Sequence, residues 1–382
     1  MTQPLALYIH WPFCLSKCPY CDFNSHVRED IDDKAWATAL ISEIRRVGVE
    51  LPNRTITSIF FGGGTPSLMA PSTAAAVLDK ISVTWPLSDD CEITLEANPN
   101  SVEVKRFRDF QSAGINRVSV GIQALRQDAL TFLGRTHSLD EALRAIDTAR
   151  DTFKRYTFDL IYARPDQTPA MWETELREAL TRCDKHLSLY QLTIEPGTAF
   201  QQLYARGDLT PPGEVASEEL YDLTQAIMED SGLPAYEVSN HASSGEESRH
   251  NLTYWRYQDY AGIGPGAHGR VTIGGETYAT RCFKTPEKWL ENALRGSGEQ
   301  ERIALTDEEK VAEHVMMSLR LKQGLDLQDF QTRHGRPLAE VLPQEQLTFL
   351  QELGDLTLSN DRLRATPQGL KRLNAVLGQL LS

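Results

Sequence analysis

Cys14, Cys18 and Cys21 stand in the spacing C-x3-C-x2-C, just beyond an apolar run at residues 5–9. A structural zinc ion takes four ligands in a tetrahedron, usually as two C-x2-C-like pairs, and three thiols on one loop fall short of that. A cubane iron–sulfur cluster normally takes four thiolates. Held at three corners it keeps one iron open, and an open position is what separates reactive metal sites from structural ones. A Cys3His zinc site completed by His10 or His26 is the alternative that these residue types leave standing. An odd number of thiols with no signal leader ahead of them speaks against disulfides. Phe13, Tyr20 and Phe23 lie in the same stretch, and aromatic shielding tunes a cluster's potential.

Other polar residues close apolar runs further along. Gly62-Gly63-Gly64-Thr65-Pro66 follows the run at 56–61; glycines permit close backbone approach, and their N–H groups can meet a carboxylate or orient an amine. Glu96 ends the next run, where a carboxylate among apolar neighbours needs a cation. Gln123, Arg135 and Asp159 follow at or near later runs; an arginine there can clamp a carboxylate by its fork. A third set, Arg249-His250-Asn251-Leu252-Thr253-Tyr254-Trp255-Arg256, combines a metal-capable imidazole, two aromatic rings and two arginines. Such a set suits a flat ligand with a metal and carboxylates, and equally a capped loop with buried aromatics.

Taken together, the cysteine spacing resembles the signature of the radical S-adenosylmethionine (SAM) superfamily. The string Tyr8-Ile9-His10-Trp11-Pro12-Phe13-Cys14, with Cys18-Pro19-Tyr20-Cys21-Asp22-Phe23, resembles its HemN/HemW branch. The resemblance implies a [4Fe-4S] cluster on the three cysteines, with SAM chelating the open iron and an electron from the cluster cleaving it to a 5′-deoxyadenosyl radical. It implies SAM contacts at Tyr8, Gly63, Gly64, Thr65, Glu96, Gln123, Arg135 and Asp159. The string at His250, Asn251, Tyr254 and Trp255 resembles the HNxxYW motif of heme-binding members, which implies heme as cargo, and His268 in the glycine-rich stretch 262–269 is a second candidate ligand.

Within the branch, HemN-type dehydrogenases carry a further cysteine two positions after the third, where this chain has Phe23, and a long N-terminal arm, where this chain has 13 residues before Cys14. The expectation is therefore a heme chaperone delivering to respiratory or other heme-requiring proteins, with oxygen-independent coproporphyrinogen III dehydrogenase as the alternative.

The elements that must position these residues alternate. Strands are expected at 5–9, 56–61, 92–95, 117–122, 157–162 and 187–193, with helices at 32–47, 74–81, 101–112, 125–150 and 170–182 between them. Near-continuous apolar strands alternating with helices imply a parallel sheet covered by helices, and right-handed crossovers curl six such units into an incomplete (β/α)6 barrel, open where a closed barrel needs eight. A seventh strand is expected at 235–238, a polar turn-rich stretch at 239–248, and an all-helical character after Pro286, ending in a hairpin near 355–365. These readings divide the chain into a barrel domain at 1–240, an extension at 241–300 carrying the HNxxYW and glycine-rich strings, and a winged-helix-like helical domain at 301–382. The net charge of -14 argues against general nucleic-acid binding. No apolar run is long enough to span a membrane, leaving at most transient contact with a membrane surface. Cys91, Cys183 and Cys282 are scattered, read as buried inert thiols, and the expected location is the reducing cytoplasm.

Overall fold

The computed structural model describes residues 2–28 and 30–381. Strand β1 (Gln3–Trp11) runs into the cysteine loop, and helix α1 (Asp33–Glu50) follows. Asp32 caps α1 by accepting from the backbone N–H groups of Lys34 and Ala35, donors that the first turn of a helix leaves without internal partners. The spaced apolar positions Trp36, Leu40, Ile44 and Val47 are all buried, and Trp36 stacks on Trp289 at 5.4 Å.

Strands β2 (Arg54–Gly63), β3 (Leu87–Ala97), β4 (Arg117–Gln123), β5 (Arg155–Tyr162) and β6 (His186–Gln191) then pair in parallel, each with its predecessor. Helices α2 (Pro71–Thr84), α3 (Leu139–Thr152) and α4 (Pro169–Leu180) cover them. Leu5, Leu7, Ile9 and Trp11 of β1 are fully buried, as expected of a strand packed on both faces. The sheet does not close. Across the sheet the order is Glu299–Ala304, Glu276–Cys282, His268–Ile273, Tyr260–Ile263, then β1 to β6 in sequence, then Asn240–Ala242, an open α/β barrel segment with extensions at both edges.

Three expectations are corrected. The strand beyond β6 is not 235–238 but β7 (Asn240–Ala242), antiparallel to β6. The chain doubles back here: Tyr236 N–H bonds to Asn240 O, and the Glu237 carboxylate accepts from the Asn240 side chain and from Ser239 N–H. The apolar-looking run is thereby spent on a turn, and the polar residues after it meet the sheet edge. The helix expected over 125–150 is two, Gln127–Phe132 and α3; Gly134 at φ 65° turns the chain between them, and Ser138 restarts it with a capping box to Glu141. After the short helix α5 (Arg249–Trp255), residues 260–304 add β8 (Tyr260–Ile263), parallel to β1, then β9 (His268–Ile273), β10 (Glu276–Cys282) and β11 (Glu299–Ala304), all antiparallel. Strand β11 breaks the all-helical reading after Pro286. Its sequence Glu-Gln-Glu-Arg-Ile-Ala is largely exposed, and an edge strand bearing charges hides the alternation that marks a half-buried one while discouraging edge-to-edge association.

The last part of the chain packs about its own core. Val315, Leu319, Phe330, Leu350, Leu363 and Leu380 are buried together, beneath short helices and a three-stranded sheet that includes the hairpin Leu356–Leu358 with Arg362–Ala365.

Candidate functional site

Parallel α/β sheets gather function at the carboxyl ends of their strands, and the cysteine loop sits there, after β1. Backbone bonds zip it to the end of β2: Gly64 N–H reaches Trp11 O at 2.7 Å and Thr65 N–H reaches Phe13 O at 2.8 Å. The strands touch so closely that a Cβ at position 64 would lie 2.7 Å from Phe13 O; only glycine fits. On the other side Pro19 packs against Gly134, and Phe200 N–H donates to Pro19 O. All three thiols are partly buried. They line a cavity of about 150 Å³ together with Gly63, Gly64, Thr65, Gln123 and Arg135.

These residues fit a cluster better than an ion. Three thiols line one cavity, and the two imidazoles that could complete a zinc site are already engaged. His10 has neither ring nitrogen to spare, since Nδ1 shares a 3.0 Å bond with the Tyr8 hydroxyl and Nε2 meets Asn24 O at 2.9 Å. His26 Nε2 is engaged by Asn24 Oδ1 at 3.1 Å. Two donors are already aimed at sulfur: Thr65 Oγ1 donates to Cys14 Sγ and Arg135 Nη1 to Cys18 Sγ, each at 3.3 Å. Hydrogen bonds to cluster sulfurs are one of the levers on its potential. Arg135 Nε is buried and has no partner among the described residues, an unspent donor on the side chain that already reaches the Cys18 sulfur.

Asn98 organises this wall, and sequence reading passed over it. Its Oδ1 accepts from Arg135 Nη2 at 2.6 Å and its Nδ2 donates to Thr65 Oγ1 at 2.9 Å, so one amide fixes both groups that touch sulfur. The available signal was its place, directly after β3 and before Pro99. Glu96, at the end of the same strand, accepts Gly63 N–H at 3.2 Å. Burial, the nearby Asp159 charge adding to it, pushes its carboxyl up to about 8. Asp159 accepts from Ser119 Oγ at 3.3 Å, and burial raises it to about 6. Neither carboxyl has an ion-pair partner among the described residues, so the wall holds two acids that a cationic ligand would favour in their charged form. Gln123 stands beside them at φ 74°, a left-handed backbone that a non-glycine residue adopts at a cost.

Glu96, Asp159, Ser119, Gly63 and Phe23 also line a second, larger cavity of about 1020 Å³, so the two adjoin along this wall. Tyr8 and the HNxxYW side chains His250, Asn251, Tyr254 and Trp255 line the larger cavity. Helix α5, which carries them, is pinned by Glu92. That carboxylate accepts His250 N–H at 3.3 Å and Ser248 Oγ at 3.4 Å, and pairs with Arg155 at 2.6 Å and Arg117 at 3.8 Å. The two guanidiniums and the helix N–H groups outweigh burial and hold Glu92 below the usual carboxylate range. His250 lies flat on Phe60, with centroids 5.0 Å apart, and its Nδ1 bonds Ser58 Oγ at 3.0 Å. Burial lowers its pKa to about 4, leaving a neutral imidazole at neutral pH. Its Nε2 has no protein partner among the described residues. His268 also faces the cavity, from a more exposed position.

One part of the sequence reading fails. The two arginines flanking the HNxxYW string do not face the cavity. Arg249 pairs with Asp90 at 2.5 Å on the outside, and Arg256 turns to Gln323 in a separate cleft. Arg249 opens the helix and Arg256 is its C-cap; seven positions apart they fall on one side, while the motif side chains between them occupy another.

A model of the radical SAM superfamily matches residues 8–179, and a model of the HemN C-terminal domain matches residues 305–371. The first of these implies a [4Fe-4S] cluster and SAM as cofactors. The mitochondrial radical S-adenosyl methionine domain-containing protein 1 of Danio rerio is 38% identical over 386 residues, covering 98% of this chain and 86% of its own. The heme chaperone HemW of Escherichia coli (strain K12) is 36% identical over 384 residues, covering 99% and 98%. That of Bacillus subtilis (strain 168) is 33% identical over 381 residues, covering 98% and 99%. The solved structure of coproporphyrinogen III oxidase (HemN) from Escherichia coli superposes with a TM-score of 0.81 over 99% of this chain and 90% of its own, at 21% identity, which establishes a common fold. With cysteine loop, open sheet, C-terminal module and full-length relatives in agreement, the chain belongs to the radical SAM superfamily and, within it, to the HemW family.

Proposed function

We propose that the protein is a heme chaperone: it binds heme beside a [4Fe-4S] cluster and SAM, and passes it to respiratory or other heme-requiring proteins. The observation that carries this reading is the cavity of about 1020 Å³, walled by Phe60, His250, Tyr254 and Trp255 and adjoining the cysteine cradle. It lies at the upper end of the size range of ligand pockets, its aromatic lining suits a flat macrocycle, and the neutral His250 imidazole offers a nitrogen to iron. In this reading Cys14, Cys18 and Cys21 hold the cluster. Tyr8, Gly63, Gly64, Thr65, Glu96, Gln123, Arg135 and Asp159 surround SAM, which would supply a 5′-deoxyadenosyl radical if an electron from the cluster cleaved it. His250, Asn251, Tyr254 and Trp255 contact the heme. No helix among the described residues is long and apolar enough to cross a membrane, and six free thiols fit a reducing compartment such as the cytoplasm.

The test is anaerobic reconstitution with iron and sulfide, followed by heme titration of the native chain and a His250→Ala variant. A Soret band that shifts or weakens in the variant supports His250 as ligand; an unchanged band and affinity removes it. Incubation with coproporphyrinogen III, SAM and reductant decides the alternative, because a vinyl-bearing product would establish a dehydrogenase.

A further inference from the structure

We propose that Lys284 and Arg320 form an anion subsite at the large cavity, which takes the two carboxylates of a flat dicarboxylic ligand; this rests on the heme reading above. Four cationic side chains line the cavity: Arg117, Arg281, Lys284 and Arg320. Two are already neutralised. Arg117 is buried against Glu92, and Arg281 pairs with Glu301 at 2.8 Å. Lys284 and Arg320 have no carboxylate partner among the described residues, in a chain with 53 acidic and 39 basic side chains. Where carboxylates are in excess, cations left unpaired beside an aromatic cavity are available to a ligand's charge.

Their placement suits such a ligand. Lys284 is exposed, on the loop between β10 and the helix Pro286–Arg295. Arg320 is half-buried and comes from the other side of the chain's organisation, just after the helix Asp307–Ser318. Its guanidinium lies over the Trp255 ring at 5.7 Å, so the aromatic face and the charge form one surface, and its N–H donors have no acceptor among the described residues. The backbone of Lys284 is fixed: Asn24 Nδ2 donates to Lys284 O at 2.9 Å and to Pro265 O at 2.8 Å. Asn24 lies three residues past Cys21, so the cysteine loop itself holds the anchor in position. A ligand with an apolar macrocycle and carboxylates along one edge would place its rings on the aromatic wall and that edge on these two cations. The HNxxYW string cannot supply this charge, since Arg249 and Arg256 turn away from the cavity.

Titration of the reconstituted full chain with hemin and with hemin dimethyl ester, followed by the Soret band, tests the subsite. Lys284→Gln and Arg320→Gln are each expected to weaken hemin about tenfold, the effect of losing one hydrogen bond to a charged group, and to leave the ester unchanged. Lys284→Arg should restore hemin binding, and iron content should not move in any variant. Equal loss of hemin and ester, or hemin binding as in the native chain, overturns the subsite while leaving the chaperone reading intact. Failure of the native chain to bind hemin at all overturns both.

Discussion

Replacing Glu96 by glutamine isolates the physical claim that its wall awaits a cation. In the unfolded chain this carboxyl titrates near its ordinary value of 4.5; in the fold burial lifts it to about 8. The folded state then holds the proton more tightly than the unfolded one. The stabilisation is full at low pH and drains away from about pH 4.5 to about pH 8. At 1.36 kcal/mol per unit, the shift destabilises the native protein by roughly 3 kcal/mol at pH 7 and about 5 kcal/mol above pH 9, relative to acid conditions. Glutamine keeps an oxygen for Gly63 N–H and carries no such charge. Urea unfolding of the cluster-free chain, followed by tryptophan fluorescence at about pH 5.5 and about pH 8, should therefore show Glu96→Gln gaining roughly 3 kcal/mol on the native chain between the two. In the proposed reading the gain should shrink once the cluster and SAM are bound, because an ammonium held beside Glu96 would offset the buried charge in the native chain only. A difference between variant and native that stays constant with pH would refute the reasoning, and one that grows towards acid would reverse it.

Further expectations follow from the same geometry. Gly134→Ala forces a side chain into a left-handed backbone and puts its Cβ 2.5 Å from Pro19 Cδ, costing about 1–2 kcal/mol in backbone strain alone; iron bound per chain after reconstitution should fall while the C-terminal core stays folded by hydrogen exchange. Each of Cys14→Ser, Cys18→Ser and Cys21→Ser should lose the brown cluster chromophore, and a variant that keeps it would exclude that cysteine as a ligand. Thr65→Val removes a donor from Cys14 Sγ, so the cluster's reduction potential should become more negative; an unchanged potential in redox titration would mean that this bond does not persist in the loaded protein. Arg155→Met leaves the buried Glu92 short of its nearest cation. It should destabilise the chain by about 3–5 kcal/mol and loosen the helix Arg249–Trp255, read as faster amide exchange there.

Local sequence was enough for much of this protein. The cysteine spacing, the apolar strands from β1 to β6, the cap on α1 and the polar residues closing each strand could be read because they depend on short-range periodicity and side-chain chemistry. What the sequence did not disclose depends on partners far away in the chain. Strand β11 exists because β10 offers it an edge, although its own residues are charged. Residues 235–238 fail as a strand because Glu237 finds Asn240. The direction in which Arg249 and Arg256 point is settled by Asp90 and Gln323, not by the motif that they flank. Asn98 gains its importance only when Thr65 and Arg135, brought in from β2 and from beyond β4, meet it. Sequence fixes which chemistry is available at each position, because residue type sets charge, size and ligand preference. Tertiary structure alone decides which of those groups share a wall, because burial and pairing across the sheet determine which charges are spent on the fold and which remain for a ligand.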